Sequence, residues 1–245
     1  MRRETKISTG HVALVTGVAK GLGREIALRL AEETAGVAVH YHRDRAAARK
    51  VVDEIQQRGK IGADFSADLT VELQAIVLVR KVEKKFGRID ILVNTVGPIL
   101  VKPWSELSAL DWDHVLRGNL LSAFFCLRAA LPGMRQRRWG RIINLGYHRA
   151  EQLRSFPNIT PYAVAKTGLL ILTRTVAASE AAFGITANLV SPGLIEGGVL
   201  PRSLKTPRGG LGTYKDVAEA VAFLASDGAR AVTGTNLIVA GSWKM

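Results

Sequence analysis

The strongest constraint in this chain is a rhythm. Short apolar runs, rich in Val, Ile and Leu, alternate with segments of helical length. The runs read as buried strands at Val12–Thr16, Val37–Tyr41, Ile61–Phe65, Ile89–Asn94, Arg141–Leu145, Thr186–Val190 and Asn236–Val239. Helices are predicted between them over Arg24–Glu33, Ala46–Gln57, Val71–Phe86, Trp112–Leu131, Thr160–Ala182 and Lys215–Leu224. Gly59, Gly87, the pair Pro132-Gly133 and Gly184 read as their stops. Strands joined by helical crossovers are parallel, and the crossovers are right-handed. The predicted fold is therefore α/β: a single doubly wound Rossmann-type parallel sheet of about seven strands, helices on both faces, with residues 1–245 as one domain.

The 47% hydrophobic and 22% charged composition excludes a disordered chain. The start, Met1-Arg2-Arg3-Glu4-Thr5-Lys6, lacks the apolar run of a signal peptide, and no stretch of about 18 apolar residues predicts a membrane span. The one cysteine, Cys126, rules out an internal disulfide, and its neighbours Phe124, Phe125 and Leu127 suggest a buried thiol. A cytoplasmic location is expected. The net charge of +13 admits nucleic acid, a membrane surface or an anionic small molecule as partner. The basic residues are scattered, however. Their densest group, Arg135, Arg137, Arg138 and Arg141, reads as a helix end plus a loop, so specific nucleic-acid binding is not expected. His40 and His42 share one strand face without a third ligand, so no metal site is expected.

Thr16-Gly17-Val18-Ala19-Lys20-Gly21-Leu22-Gly23 joins the first strand to the first helix. Glycines there let backbone N–H groups approach a pyrophosphate, and the helix start adds partial positive charge. The first interval is wider than in the usual GxGxxG spacing. An NAD site wants an acid after the second strand. That position holds Tyr41, with Arg43 close by and Lys20 inside the turn, a pairing suited to a 2′-phosphate. NADPH is the expected cofactor, although Asp44 beside Arg43 works against it.

Tyr162 and Lys166 stand four residues apart, on one face of a predicted helix. A nearby ammonium lowers the pKa of a phenol from about 10 and makes it a usable proton relay.

With the turn, this pair resembles the short-chain dehydrogenase/reductase family, of the type that includes 3-oxoacyl-carrier-protein reductases. The resemblance spans nearly the whole chain. Thr16–Gly23 is similar to the family's TGxxxGxG turn, Asp68-Leu69 to its adenine-side pair, and Asn94-Thr95-Val96-Gly97 to a degraded NNAG motif. Asn119 is similar to the active-site asparagine, Tyr162 and Lys166 to the YxxxK pair, and Ser191-Pro192-Gly193 to the turn beside the nicotinamide, followed by Ile195. Val232-Thr233-Gly234 matches the stretch before the last strand. The resemblance implies that Tyr162 gives a proton to the substrate oxygen. Lys166 holds the nicotinamide ribose and lowers the tyrosine pKa. Asn119 anchors a water, and the backbone at Gly97 lines the cofactor channel. It implies a small carbonyl substrate and a homo-oligomer, tetramer or dimer, formed through the two long helices.

One departure matters. The family places a serine after the fifth strand to bind the carbonyl. Here Ile142-Ile143-Asn144-Leu145-Gly146-Tyr147-His148 puts Tyr147 there, or Gly146 with a one-residue shift, while counting back from Tyr162 points near Arg149. No serine occurs until Ser155. Tyr147 supplies a hydroxyl, and His148 or Arg149 a donor. Pteridine reductases also lack this serine and use an aspartate, with no obvious equivalent here. An alternative function follows: a catalytically weak NADP-binding sensor or structural protein. Two further departures are Val239-Ala240-Gly241-Ser242 where Asp-Gly-Gly is usual, and Glu196-Gly197-Gly198 in place of a carboxamide-binding threonine. The irregular Gly193–Gly212 stretch carries the expected substrate loop, at about 194–212, with Arg202, Lys205 and Arg208.

Overall fold

The computed structural model describes residues 10–196 and 211–240. Seven strands form one sheet: β1 (Val12–Val15), β2 (Gly36–Tyr41), β3 (Ile61–Ser66), β4 (Ile91–Asn94), β5 (Gly140–Leu145), β6 (Ile185–Pro192) and β7 (Asn236–Val239). Their order is β3-β2-β1-β4-β5-β6-β7, every neighbouring pair parallel. The helices are α1 (Gly21–Ala31), α2 (Arg45–Gln57), α3 (Glu72–Phe86), α4 (Ala109–Leu116), α5 (Ser122–Arg137), α6 (Thr160–Glu180) and α7 (Tyr214–Ala225).

The central strands are apolar because both faces are covered. In β1, Ala13 and Val15 pack into a core under α1, α2 and α7, whereas Leu14 packs into the opposite core under α3, α5 and α6. Burying each such large side chain contributes about 1.5–3 kcal/mol. Strand order reverses at β1, whose chain leaves toward β2 while β4 lies on its other side. A crevice therefore opens at the carboxyl ends of β1 and β4, where ligands bind in this architecture.

Three sequence expectations need correction. The predicted single helix Trp112–Leu131 is two helices joined by a π-helical turn, Arg117–Leu121. Pro132-Gly133 does not stop the second; α5 runs on to Arg137. Tertiary anchors hold its last turn: Met134 is fully buried, Arg135 pairs with Glu180 at 2.6 Å, and Arg137 donates to Asp90 at 3.2 Å. These outweigh the one backbone bond a proline removes. Arg141 is likewise no loop residue. It lies buried in β5, its guanidinium 4.2 Å from the Trp139 ring and donating to Gly140 and Gly184 carbonyls.

Candidate active site

The turn after β1 is built by the residues that flank it. Gly17 and Gly21 have φ of +67° and +59°, which side chains with a Cβ resist. A Cβ at Gly23 would lie 2.4 Å from the Gly17 carbonyl oxygen, so only glycine lets α1 start this close to β1. Thr16 and Thr95 clasp the ends of β1 and β4: the Thr95 amide donates to Thr16 Oγ1 at 3.0 Å, and Thr95 Oγ1 donates to the Thr16 carbonyl. Helix α1 begins at Lys20 without a side-chain cap and with no acid in its first turn. Its leading N–H groups thus lack a side-chain partner and present a partial positive charge. That donor set fits a pyrophosphate.

Around this turn stand the residues expected on the adenine side. Tyr41 is buried at the end of β2, Leu69 is buried beyond β3, and Leu22 is half-buried in α1. Asp68 accepts from the amide and hydroxyl of Thr70, which hold its carboxyl below its ordinary value, and lies 3.8 Å from His42. Lys20 and Arg43 are exposed and form no ion pair among the described residues. Asp44 caps α2 through the Ala47 amide at 2.9 Å.

The reacting end lies across the crevice. Tyr162 and Lys166 project from one face of α6, the ammonium 5.6 Å from the phenol ring centre. Lys166 is buried and donates to the Leu145 carbonyl at 2.6 Å. The π-turn sets Asn119 inward: its Nδ2 donates to the carbonyls of Pro98 at 2.8 Å and Val115 at 3.0 Å, and its buried Oδ1 has no partner. Gly97 brings the two together. A methyl there would lie 2.3 Å from Asn119 Oδ1 and 3.2 Å from Lys166 Nζ.

The place after β5 belongs to Tyr147. A side chain at Gly146 would strike Ser191 Oγ at 2.3 Å and Leu189 at 2.5 Å, so that position admits glycine alone. Tyr147 stands edge-on to Tyr162, ring centres 5.6 Å apart, and packs on His148 and Phe156. Ser155 lines an apolar groove on the outer face of α6.

In the free protein the Tyr162 phenol is shifted upward. Burial raises the phenol and Tyr147 adds to the rise, while burial pushes Lys166 down to about 8. Both groups lose hydration, and the ammonium bonds a carbonyl rather than the phenol. Burial also raises Tyr147 and drives Cys126 up to about 12, as for a structural thiol.

Other expected residues take different positions. Asn94 donates to Asn144 Oδ1 at 2.8 Å, and Asn144 to Thr173 Oγ1 at 2.9 Å, a buried chain within the fold rather than a lining of the crevice. Ile195 is buried in the apolar core. Pro192 ends β6, and the Gly193 amide bonds the Val239 carbonyl at 2.9 Å. Most of the expected substrate loop, with Arg202, Lys205 and Arg208, and the Gly241-Ser242 pair lie outside the described residues. Sequence reasoning missed Thr16, Thr95 and His40. Their signal was polarity inside or at the ends of fully buried strands, where every such group must find a partner.

Comparison with known proteins agrees with this geometry. The chain belongs to the short-chain dehydrogenase/reductase family and is an oxidoreductase. The family described as enoyl-(acyl carrier protein) reductase matches residues 17–242. The chain is 36% identical over 242 residues to the 3-oxoacyl-[acyl-carrier-protein] reductase FabG of Staphylococcus aureus (strain Mu50 / ATCC 700699), covering 95% of this chain and 98% of that one. It is also 36% identical over 240 residues to (2S)-[(R)-hydroxy(phenyl)methyl]succinyl-CoA dehydrogenase subunit BbsD of Thauera aromatica, covering 94% and 95%. Among solved structures, a blue fluorescent protein from a metagenomic library, in complex with NADPH, superposes with a TM-score of 0.88 at 32% identity, covering 97% and 99%.

Proposed function

We propose that this chain is an NADPH-dependent carbonyl reductase or alcohol dehydrogenase, moving a hydride between a nicotinamide cofactor and a small carbonyl or hydroxyl substrate. One observation carries the reading: Tyr162, Lys166 and the unpartnered Oδ1 of Asn119 converge beside Gly97, at the same end of the sheet as the uncapped start of α1. When bound, the cofactor supplies the hydride. The N–H groups of the turn through Gly17, Gly21, Leu22 and Gly23 hold its pyrophosphate, with Tyr41, Asp68 and Leu69 on the adenine side. Pro192, Gly193 and the Ile195 backbone line the nicotinamide side.

During reduction Tyr162 gives its phenolic proton to the carbonyl oxygen, leaving a phenolate that the Lys166 ammonium stabilises. The free lone pairs of Asn119 Oδ1 accept from a water that returns a proton toward Lys166. Tyr147 takes the place of the missing serine and donates its hydroxyl to the carbonyl oxygen. The preference for NADPH rests on Lys20 and Arg43, both exposed and without an ion-pair partner among the described residues, with Asp44 turned to its capping role.

The test is NADPH oxidation across ketones, 3-oxoacyl thioesters, quinones and pterins. Turnover is expected with at least one class, and Tyr162→Phe should lower it by about 10²–10⁴-fold while leaving NADPH binding intact. No turnover, or an unaffected Tyr162→Phe enzyme, overturns the proposal. The raised Tyr162 and the replaced serine favour one second reading, an NADP binder with little catalysis. Tight NADPH binding by calorimetry without turnover would select it.

We also read the chain as a cytoplasmic, single-domain protein that assembles with copies of itself. No helix among the described residues is long and apolar enough to cross a membrane. The outer face of α6 exposes Val164 and Ile171 beside Trp104 and Leu153, around an open apolar groove of about 650 Å³. Light scattering showing a monomer would refute the assembly.

A further inference from the structure

His40 lies in a strand whose residues are all buried, yet it carries two polar ring nitrogens. Both are satisfied by backbone from different parts of the chain. The Gly17 amide donates to Nδ1 at 3.1 Å, and Nε2 lies 3.1 Å from the Ala67 carbonyl oxygen. An amide can only donate and a carbonyl can only accept, so the ring is neutral with its proton on Nε2. The backbone of the same residue takes the next donor of the turn, since the Val18 amide bonds the His40 carbonyl at 2.9 Å. His40 therefore spans two places that one dinucleotide would occupy together. One is the first step of the phosphate turn, where Gly17 adopts φ +67°; the other is the exit of β3, one residue before Asp68-Leu69.

We propose that His40 is a positioning residue for the dinucleotide, a strut that fixes the distance between the phosphate-binding turn and the adenine-side segment. This rests on the nucleotide-binding reading above. A strut of this kind acts on ligands that touch both ends and leaves a ligand that touches one end almost unaffected. A residue needed only for core packing would affect both alike. Burial also favours the neutral ring.

The experiment measures affinity for NADPH and, by competition, for adenosine, which lacks the phosphates that the turn and Lys20 would contact, well below the melting temperature, in wild type, His40→Leu, His40→Asn and His40→Gln. His40→Leu removes both polar contacts and should weaken NADPH about tenfold, the effect of one well-placed hydrogen bond, with adenosine within about twofold of wild type. An Asn oxygen sits near the Nδ1 position and should restore the Gly17 contact. A Gln nitrogen sits near Nε2 and should restore only the one to Ala67. Each is expected to recover part of the NADPH affinity, which also decides the matter should the Leu variant fail to fold. Equal weakening of both ligands, or NADPH affinity unchanged in all three variants, overturns the strut. Wild-type protein that binds neither ligand would remove the nucleotide reading itself, a result distinct from wild-type binding that the variants do not alter.

Discussion

Gly97→Ala isolates the reacting end of the site. The added methyl would lie 2.3 Å from Asn119 Oδ1, 3.1 Å from Asn119 Cγ and 3.2 Å from Lys166 Nζ. The first contact is more than 1 Å short of ordinary van der Waals separation. Asn119 cannot swing away freely, because its Nδ2 is tied to Pro98 and Val115. Losing those two bonds costs about 0.5–1.5 kcal/mol each, and overpacking as a whole about 1–3 kcal/mol. At about 2–4 °C per kcal/mol for a chain of this size, the melting temperature should drop by roughly 2–12 °C. Displacing the catalytic side chains by about 1 Å should cost about 10²-fold in turnover. The pyrophosphate turn is not touched by the methyl, so NADPH affinity should change far less than kcat. Scanning fluorimetry, NADPH titration and steady-state kinetics on the same preparation supply all three values. Wild-type kcat in a variant that melts like wild type would show that the convergence around Gly97 has nothing to do with reaction.

Removing the cations should weaken the proposed cofactor preference: Lys20→Ala with Arg43→Ala should lower the NADPH-over-NADH ratio of kcat/KM by about tenfold or more, and an unchanged ratio would place the 2′-phosphate elsewhere. Tyr147→Phe keeps the ring packing and deletes the hydroxyl, so kcat should fall by about 10²–10³-fold; full activity would exclude it as the carbonyl donor. Burial pushes His40 down from 6.5 to about 4, with His42 opposing and Asp68 favouring its protonation. The unfolded chain therefore takes up this proton first, and stability present above pH 6.5 is lost as pH falls toward 4, by about 3 kcal/mol from this residue. A urea midpoint that shows no such loss, or the same loss in His40→Asn, would contradict it.

The parallel sheet was legible because its strands are apolar on both faces and its helices are broken from them by glycine and proline. The chain's polar exceptions were less legible. Pro132 reads as a stop from local chemistry, but Met134, Arg135 and Arg137 find partners far away in sequence, and these hold the last turn of α5. The π-turn had no local signal either. It exists so that Asn119 can reach two carbonyls at once, a long-range condition. Asn94 illustrates the opposite error: a motif match placed it at the cofactor, whereas pairing with Asn144 across adjacent strands claims its amide. Tyr162, Lys166 and the glycine turn were readable because their spacing fits one helix face and one strand-to-helix junction.

The electrostatics of the free site bear on how the proton is moved. A phenol raised by burial beside a lysine lowered to about 8 keeps its proton in the free site and is a weaker acid there than an exposed tyrosine. In the proposed reduction Tyr162 would hold that proton until the carbonyl oxygen gains charge. The proposed alcohol oxidation would need the phenolate, and among the described residues Lys166, 5.6 Å from the ring centre, is the cation beside it. A bound oxidised nicotinamide would add positive charge in that direction. On the proposed reading, the same pair of side chains would run as acid or as base according to the charge of what occupies the crevice. The difference between the two poises is set by desolvation, which amplifies every charge brought near.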